Sequence, residues 1–254
     1  MKKLLIWLAG SAVICLALTG CDLKEKYERS VEMPLSISAG QKLVVYTDVG
    51  SIKVSGGNVQ QTSIKAKITG RADTIEKAQT VAEAVKIIVE DNNNNILIKI
   101  DKPAMTKSNW YEVDYTIDVP EDIGLEYKTD VGSATVSNIK GDILISCDVG
   151  SITCENVRGK MNLNADVGNI SVAYAEDTNG QVNAELSVDV GSIHFKGPKN
   201  MSAKLDVSTD VGSIHSDLPI TVQGNICKKS LNGTVGQGEG FVQLKTNVGS
   251  IDIK

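Results

Sequence analysis

The sequence returns again and again to Asp-Val-Gly-Ser-Ile. The motif stands at Asp48 to Ile52, Asp148 to Ile152, Asp189 to Ile193 and Asp210 to Ile214, with variants at Asp130 to Ala134, Asp166 to Ile170 and Asn247 to Ile251. Self-similarity at a short period marks a stacked-repeat architecture, because one repeat cannot bury its own apolar face and stacked copies can. Gly50, Gly132, Gly150, Gly168, Gly191, Gly212 and Gly249 are read as structural corners, each between two short strands. From Gly132 onward the spacings are 18, 18, 23, 21, 21 and 16 residues, counting Gly233 in a degenerate copy, Asn232 to Val235.

Aligning the copies on the glycine gives columns. Val precedes it in every clear copy, from Val49 to Val248, and the residue two after it is Ile or Ala. Further back stand Val45, Tyr127, Ile145, Leu163, Leu186, Val207 and Leu244. We expect all three columns to face inward. Identical residues at near-constant spacing suit in-register parallel stacking at about 4.8 Å per rung. The predicted class is therefore mainly all-β: a single-stranded parallel β-solenoid, or β-helix, of about eight short rungs. Two facing antiparallel sheets of hairpins are the alternative.

The first two copies lie far apart, and the stretch at about 60–120 reads as a small α/β insert. Ser63 to Thr69 alternates as a strand; Asp73-Thr-Ile-Glu76 has capping-box form ahead of a helix. A hairpin follows around Ile87 to Ile100, then a strand from Tyr111 to Val119 closed by Pro120. Such an insert would cover one open end of the stack.

Residues 1–20 have the form of a secretory signal: Lys2 and Lys3, an apolar run from Leu4 to Leu18, then small residues. Leu18-Thr19-Gly20-Cys21 resembles the lipobox of bacterial lipoproteins, which implies cleavage before Cys21 and a lipid anchor on its thiol. Asp22 resembles the inner-membrane retention signal of some Gram-negative lipoproteins, implying the periplasmic face of that membrane. Residues 21–35 read as a tether and 36–254 as the repeat domain.

The net charge is −5, and the signal removes two lysines and no acid. An acidic surface without a basic cluster excludes nucleic acid as a partner. Beyond the signal and the lipidated thiol remain Cys147, Cys154 and Cys227. Cys147 and Cys154 are expected inside one coil, as a disulfide or as buried free thiols.

Repeats of the form Thr-Asp-Val-Gly-Ser-Ile, separated by turns such as Asn138-Ile-Lys-Gly141 and Asn156-Val-Arg-Gly159, resemble the bacterial "putative adhesin" domain family of unknown function, similar in style to head GIN adhesin domains. The resemblance covers roughly 35–254. It implies a β-helical cell-envelope protein and supplies no catalytic residues.

Three constellations could carry chemistry. The column Asp48, Asp130, Asp148, Asp166, Asp189 and Asp210 could ligate Ca²⁺, or each Asp could hold its corner in an Asx-type turn, which is the reading expected here. His194 and His215 share an outward column and, on neighbouring rungs, could share a metal. Asp189, Ser192 and His194 mimic a hydrolase triad, but the repeat itself explains the Asp and Ser. We expect no cofactor and no enzymatic activity. The expected role is a lipid-anchored interaction or scaffold surface, adhesin-like or sensing envelope stress, that meets a protein or an envelope glycan. The alternative is binding or turnover of a cell-envelope polysaccharide. The last strand, ending at Ile253-Lys254, is expected to leave an open edge through which copies self-associate.

Overall fold

The computed structural model describes residues 2–4, 25–58, 62–92, 94–102, 104, 108–218, 221–222 and 230–254. Cys21, Asp22 and Cys227 lie outside the described residues. The strands in chain order begin with β1 (Lys2–Leu4), β2 (Glu25–Leu35), β3 (Lys42–Val49), β4 (Ile52–Gly57) and β5 (Thr62–Ala72). Helix α1 (Ile75–Ala84) precedes β6 (Lys86–Asp91), β7 (Asn95–Asp101) and β8 (Trp110–Pro120). The repeat region supplies β9 (Gly124–Val131), β10 (Ala134–Ser137), β11 (Ile143–Val149), β12 (Ile152–Val157), β13 (Met161–Val167) and β14 (Ile170–Tyr174). It continues with β15 (Asn183–Val190), β16 (Ile193–Lys196), β17 (Ala203–Val211) and β18 (Ile214–Ser216). Last come β19 (Thr221–Val222), β20 (Ser230–Val235), β21 (Gly240–Val248) and β22 (Ile251–Ile253).

The strands form two large sheets around one apolar core. Each motif copy sends the strand before its glycine to one sheet and the strand after it to the other. Copies stack in parallel and in register: Val131 opposite Val149 and Val149 opposite Val167 in one sheet, Ala134 opposite Ile152 and Ile152 opposite Ile170 in the other. This differs from the single-stranded solenoid expected above, since both sheets are mixed and antiparallel strands extend them.

At one end, β8 runs parallel to β4, and β5 and β2 follow antiparallel. β7 and β6 extend the opposite sheet as a hairpin, with β1 along β6. Helix α1 covers this end with Ala78, Val81 and Ala82 buried, and Thr74 caps its first turn by accepting from Lys77 N. Arg29 donates to the carbonyls of Ala82 and Val85 at its other end, satisfying groups the helix cannot. Glu25–Leu35 is thus a paired strand of the domain and no tether. Alternating Val31, Met33 and Leu35 point into the core.

At the far end the copies do not stack in chain order. β21 lies between β15 and β17, and β22 between β16 and β18. The last coil is inserted inside the stack, so Ile251–Ile253 is not the free edge expected of it. The degenerate copy around Gly233 is no corner either: β20 runs antiparallel to β17 and closes that sheet with β19.

Two expected columns are core. Ile52, Ala134, Ile152, Ile170, Ile193 and Ile251 are buried, as are Val45, Tyr127, Ile145, Leu163, Leu186, Val207 and Leu244. The valine column is not. Val131, Val149, Val167, Val190, Val211 and Val248 are 46–61 % exposed. Strand alternation points the residue before each glycine inward, but there the chain swings round the corner. The smaller residue two positions earlier, such as Thr129, Cys147 or Ala165, fills the inner angle instead.

The glycines are required twice over. Gly150 has φ of 154° and Gly168 of 149°, a region open to glycine. Each Cα also sits against the preceding coil's glycine, so that a Cβ on Gly150 would collide with the carbonyl oxygen of Gly132. Gly150→Ala should therefore cost about 3 kcal/mol or more in a urea titration. The half-buried Gly57, with open space where a Cβ would stand, should tolerate Ala.

Candidate functional site

The corners are where the repeat puts polar groups, and serine holds them. Ser133 N donates to Ser51 Oγ at 3.1 Å, Ser151 N to Ser133 Oγ at 3.2 Å, and Asn169 N to Ser151 Oγ at 3.3 Å. The ladder continues from Ser192 N to Asn169 Oδ1 at 2.9 Å and from Ser250 N to Ser192 Oγ at 3.5 Å. At its start, Ser51 N donates to Asp114 Oδ1. Inside the angle, Thr209 Oγ1 donates to Gly249 O, Thr246 Oγ1 to Gly191 O and Cys147 Sγ to Gly132 O. Each glycine carbonyl so reached is satisfied within the wall of the stack.

The aspartates do something else. Asp130, Asp148, Asp166 and Asp210 accept no side-chain hydrogen bond among the described residues, so the Asx-type reading fails for them. They stand exposed beside the valines. Asp48 differs: Tyr111 donates to it at 2.8 Å and Lys102 pairs with it. Asp189 accepts from Asn247 Nδ2 at 3.1 Å. Among the described residues no group of three or more His, Cys, Asp or Glu is arranged to hold a metal ion.

His194 and His215 are not on neighbouring rungs. The inserted strand β22 separates them and places Asp252 in register with both. His194 Nδ1 lies 3.2 Å from Asp252 Oδ2, and His215 Nε2 lies 3.0 Å from Asp217 Oδ1. The triad candidates are directed apart: His194 to Asp252, Asp189 to Asn247, and Ser192 Oγ to the backbone of Ser250. Cys147 and Cys154 are free thiols, both buried. Burial pushes the Cys154 thiol up to about 12.

A hollow of about 1500 Å³ runs along β2 and β5. Four of the charged residues lining it pair with one another, Lys67 with Asp114 at 3.2 Å and Lys65 with Glu32 at 3.8 Å. Sequence reasoning missed the outward valines and the serine ladder. The signal for the serines was their column, as regular as that of the aspartates but with a side chain short enough to bond the adjoining backbone.

These roles separate by mutation. Ser151→Ala leaves Asn169 N–H without its acceptor and should cost about 1 kcal/mol, whereas Asp148→Asn should stay within about 0.5 kcal/mol of wild type in the same urea titration. The buried thiol sets an alkaline limit. Folded Cys154 keeps its proton to about pH 12, whereas an ordinary thiol releases it near 9.0. Its contribution is therefore intact below pH 9.0 and lost as pH rises toward 12. Cys154→Val should flatten the fall in stability over that window, measured by urea melts at stepped pH.

No family model and no curated protein matches this chain. Solved structures do. A "putative cell adhesion protein" from Clostridium sporogenes superposes with a TM-score of 0.52 at 18 % identity, over 90 % of this chain and 99 % of that one. A "putative adhesin" from Bacteroides fragilis gives 0.47 at 16 %, over 89 % and 97 %. Another so described, from Parabacteroides merdae, gives 0.35 at 11 %, over 89 % and 96 %. At such identities the likeness concerns fold alone, and the first structure carries it: this chain shares the architecture of the Clostridium sporogenes protein.

Proposed function

We propose that this chain is a lipid-anchored, extracytoplasmic interaction protein, its stacked coils forming a β-solenoid-like scaffold with an adhesin-like or stress-sensing surface. The observation that carries the reading is the valine column. Six motif valines stand 46–61 % exposed on adjacent coils, and their stacking makes one continuous apolar stripe. At about 4.8 Å per rung the stripe runs about 24 Å. Contiguous apolar surface rimmed by polar groups is the mark of a docking site, whereas single exposed apolar residues are ordinary. The Leu18-Thr19-Gly20-Cys21 signature supports an anchor on Cys21 that holds this surface at a membrane. The fold shared with a protein described as a "putative cell adhesion protein" is compatible with such a role.

Photo-crosslinking in cells tests the reading. A photoreactive residue at Val149 or Val167 should capture a specific partner, and Cys21→Ser should move the protein out of the membrane fraction and weaken that capture. Controls at Thr153, His194 and His215, on the adjoining face, should capture less. If no stripe position captures anything specific, the interaction reading fails.

A further inference from the structure

The inserted coil, β21 with β22, carries at three outward positions a residue unlike those flanking it, and each makes a polar contact with one of the two flanking strands. Gln243 lies in register between Glu185 and Asp206 and donates Nε2 to Asp206 Oδ2 at 2.8 Å. Asn247, in the column that is Asp in every other clear copy, lies between the coils of Asp189 and Asp210 and donates Nδ2 to Asp189. Asp252 lies between His194 and His215. Were the coil absent and the gap closed in the same register, Glu185 would face Asp206, Asp189 would face Asp210 and His194 would face His215. Like charges directly opposite each other on adjacent strands are destabilising, so closure would set Glu185 against Asp206 and lengthen the aspartate row, and it would remove the contact of Asp252 with His194. The slot between the Gly191 and Gly212 coils is thus addressed to one occupant.

That occupant is held almost entirely by the slot. β21 pairs with β15 and β17, and β22 with β16 and β18. The chain enters through the exposed turn Gly236 to Glu239, where Gly236 and Gly238 take positive φ and Ser202 Oγ accepts from Gln237 N and Glu239 N. Straightening this turn would let the coil leave with its pairing surfaces unchanged. An identical coil from another molecule would make the same contacts, which is the condition for exchange between protomers.

We propose that the slot between the Gly191 and Gly212 coils is a coil-acceptor site that takes β21–β22 from a second copy of this chain as well as from its own, so that copies join by coil exchange. Self-association then runs through the interior of the stack, with Gln243, Asn247 and Asp252 setting its specificity.

Two differently tagged forms of the full chain, unfolded together in urea and refolded at high concentration, should yield dimers carrying both tags. Isotope-coded crosslinking should place the coil of one copy beside β15 and β17 of the other. Because variants of the coil could weaken the fold itself, specificity is read on the wild-type chain. A synthetic peptide of residues 236–254 is added during refolding and should be incorporated. The same peptide carrying Gln243→Glu, Asn247→Asp and Asp252→His should incorporate about ten-fold less, as loss of the contacts with Asp206, Asp189 and His194 requires. Absence of both mixed-tag dimers and peptide incorporation would overturn the proposal. Equal incorporation of the two peptides would overturn the role of the three residues.

Discussion

The structure rests on one close approach: a glycine carbonyl of one coil lying against the glycine Cα of the next. Only a residue without Cβ permits it, and only a positive φ turns the chain there from one sheet into the other. Once the corners superpose, the apolar columns on either side superpose with them. The core is a consequence of corner stacking as much as its cause. Threonine, cysteine and serine then satisfy the carbonyl and amide groups that the turn frees. Packing and hydrogen bonding act at the same place, which is why the motif varies so little from copy to copy.

Much of this was legible in the residues. The corner glycines, two of the three apolar columns, the helix and the Ile87–Ile100 hairpin follow from periodicity, although the helix cap is Thr74, bonded to Lys77 N, and not the Asp73 of the expected capping box. The valine column was not legible, because period-two alternation holds only while the strand is straight. Nor was the position of the last coil. Repeats that pair equally well with any neighbour carry no order in their common residues, so spatial order resides in the exceptions. Asn247 was visible as a departure from a column otherwise Asp, whereas Gln243 and Asp252 stand in variable columns and gained meaning only once their neighbours were known. Glu25–Leu35 was misread because charged residues facing water on alternate positions look like a tether when the inward Val31, Met33 and Leu35 are overlooked.

The two ends of the stack are finished differently, and this bears on where partners can meet it. Helix α1, Arg29 and the antiparallel strands close one end with side-chain and backbone bonds. At the other, among the described residues, β20 and β19 extend one sheet, while the sheet opposite ends on the three residues of β18. The walls between are long and regular, so contacts made by one coil can be repeated by the next.

The unbonded aspartates give the corner an electrical character of its own. Asp130, Asp148 and Asp166 occupy successive coils, about 4.8 Å apart along the stack, so their exposed carboxylates repel one another weakly through water. A row so spaced behaves as a short polyelectrolyte that draws mobile cations. The Debye length falls from about 10 Å at 0.1 M salt to about 3 Å at 1 M, so the repulsion fades as salt is added. The stack should thus be held more firmly in brine than in dilute buffer, and its acidic edge makes the fold a passive gauge of the ionic strength around it.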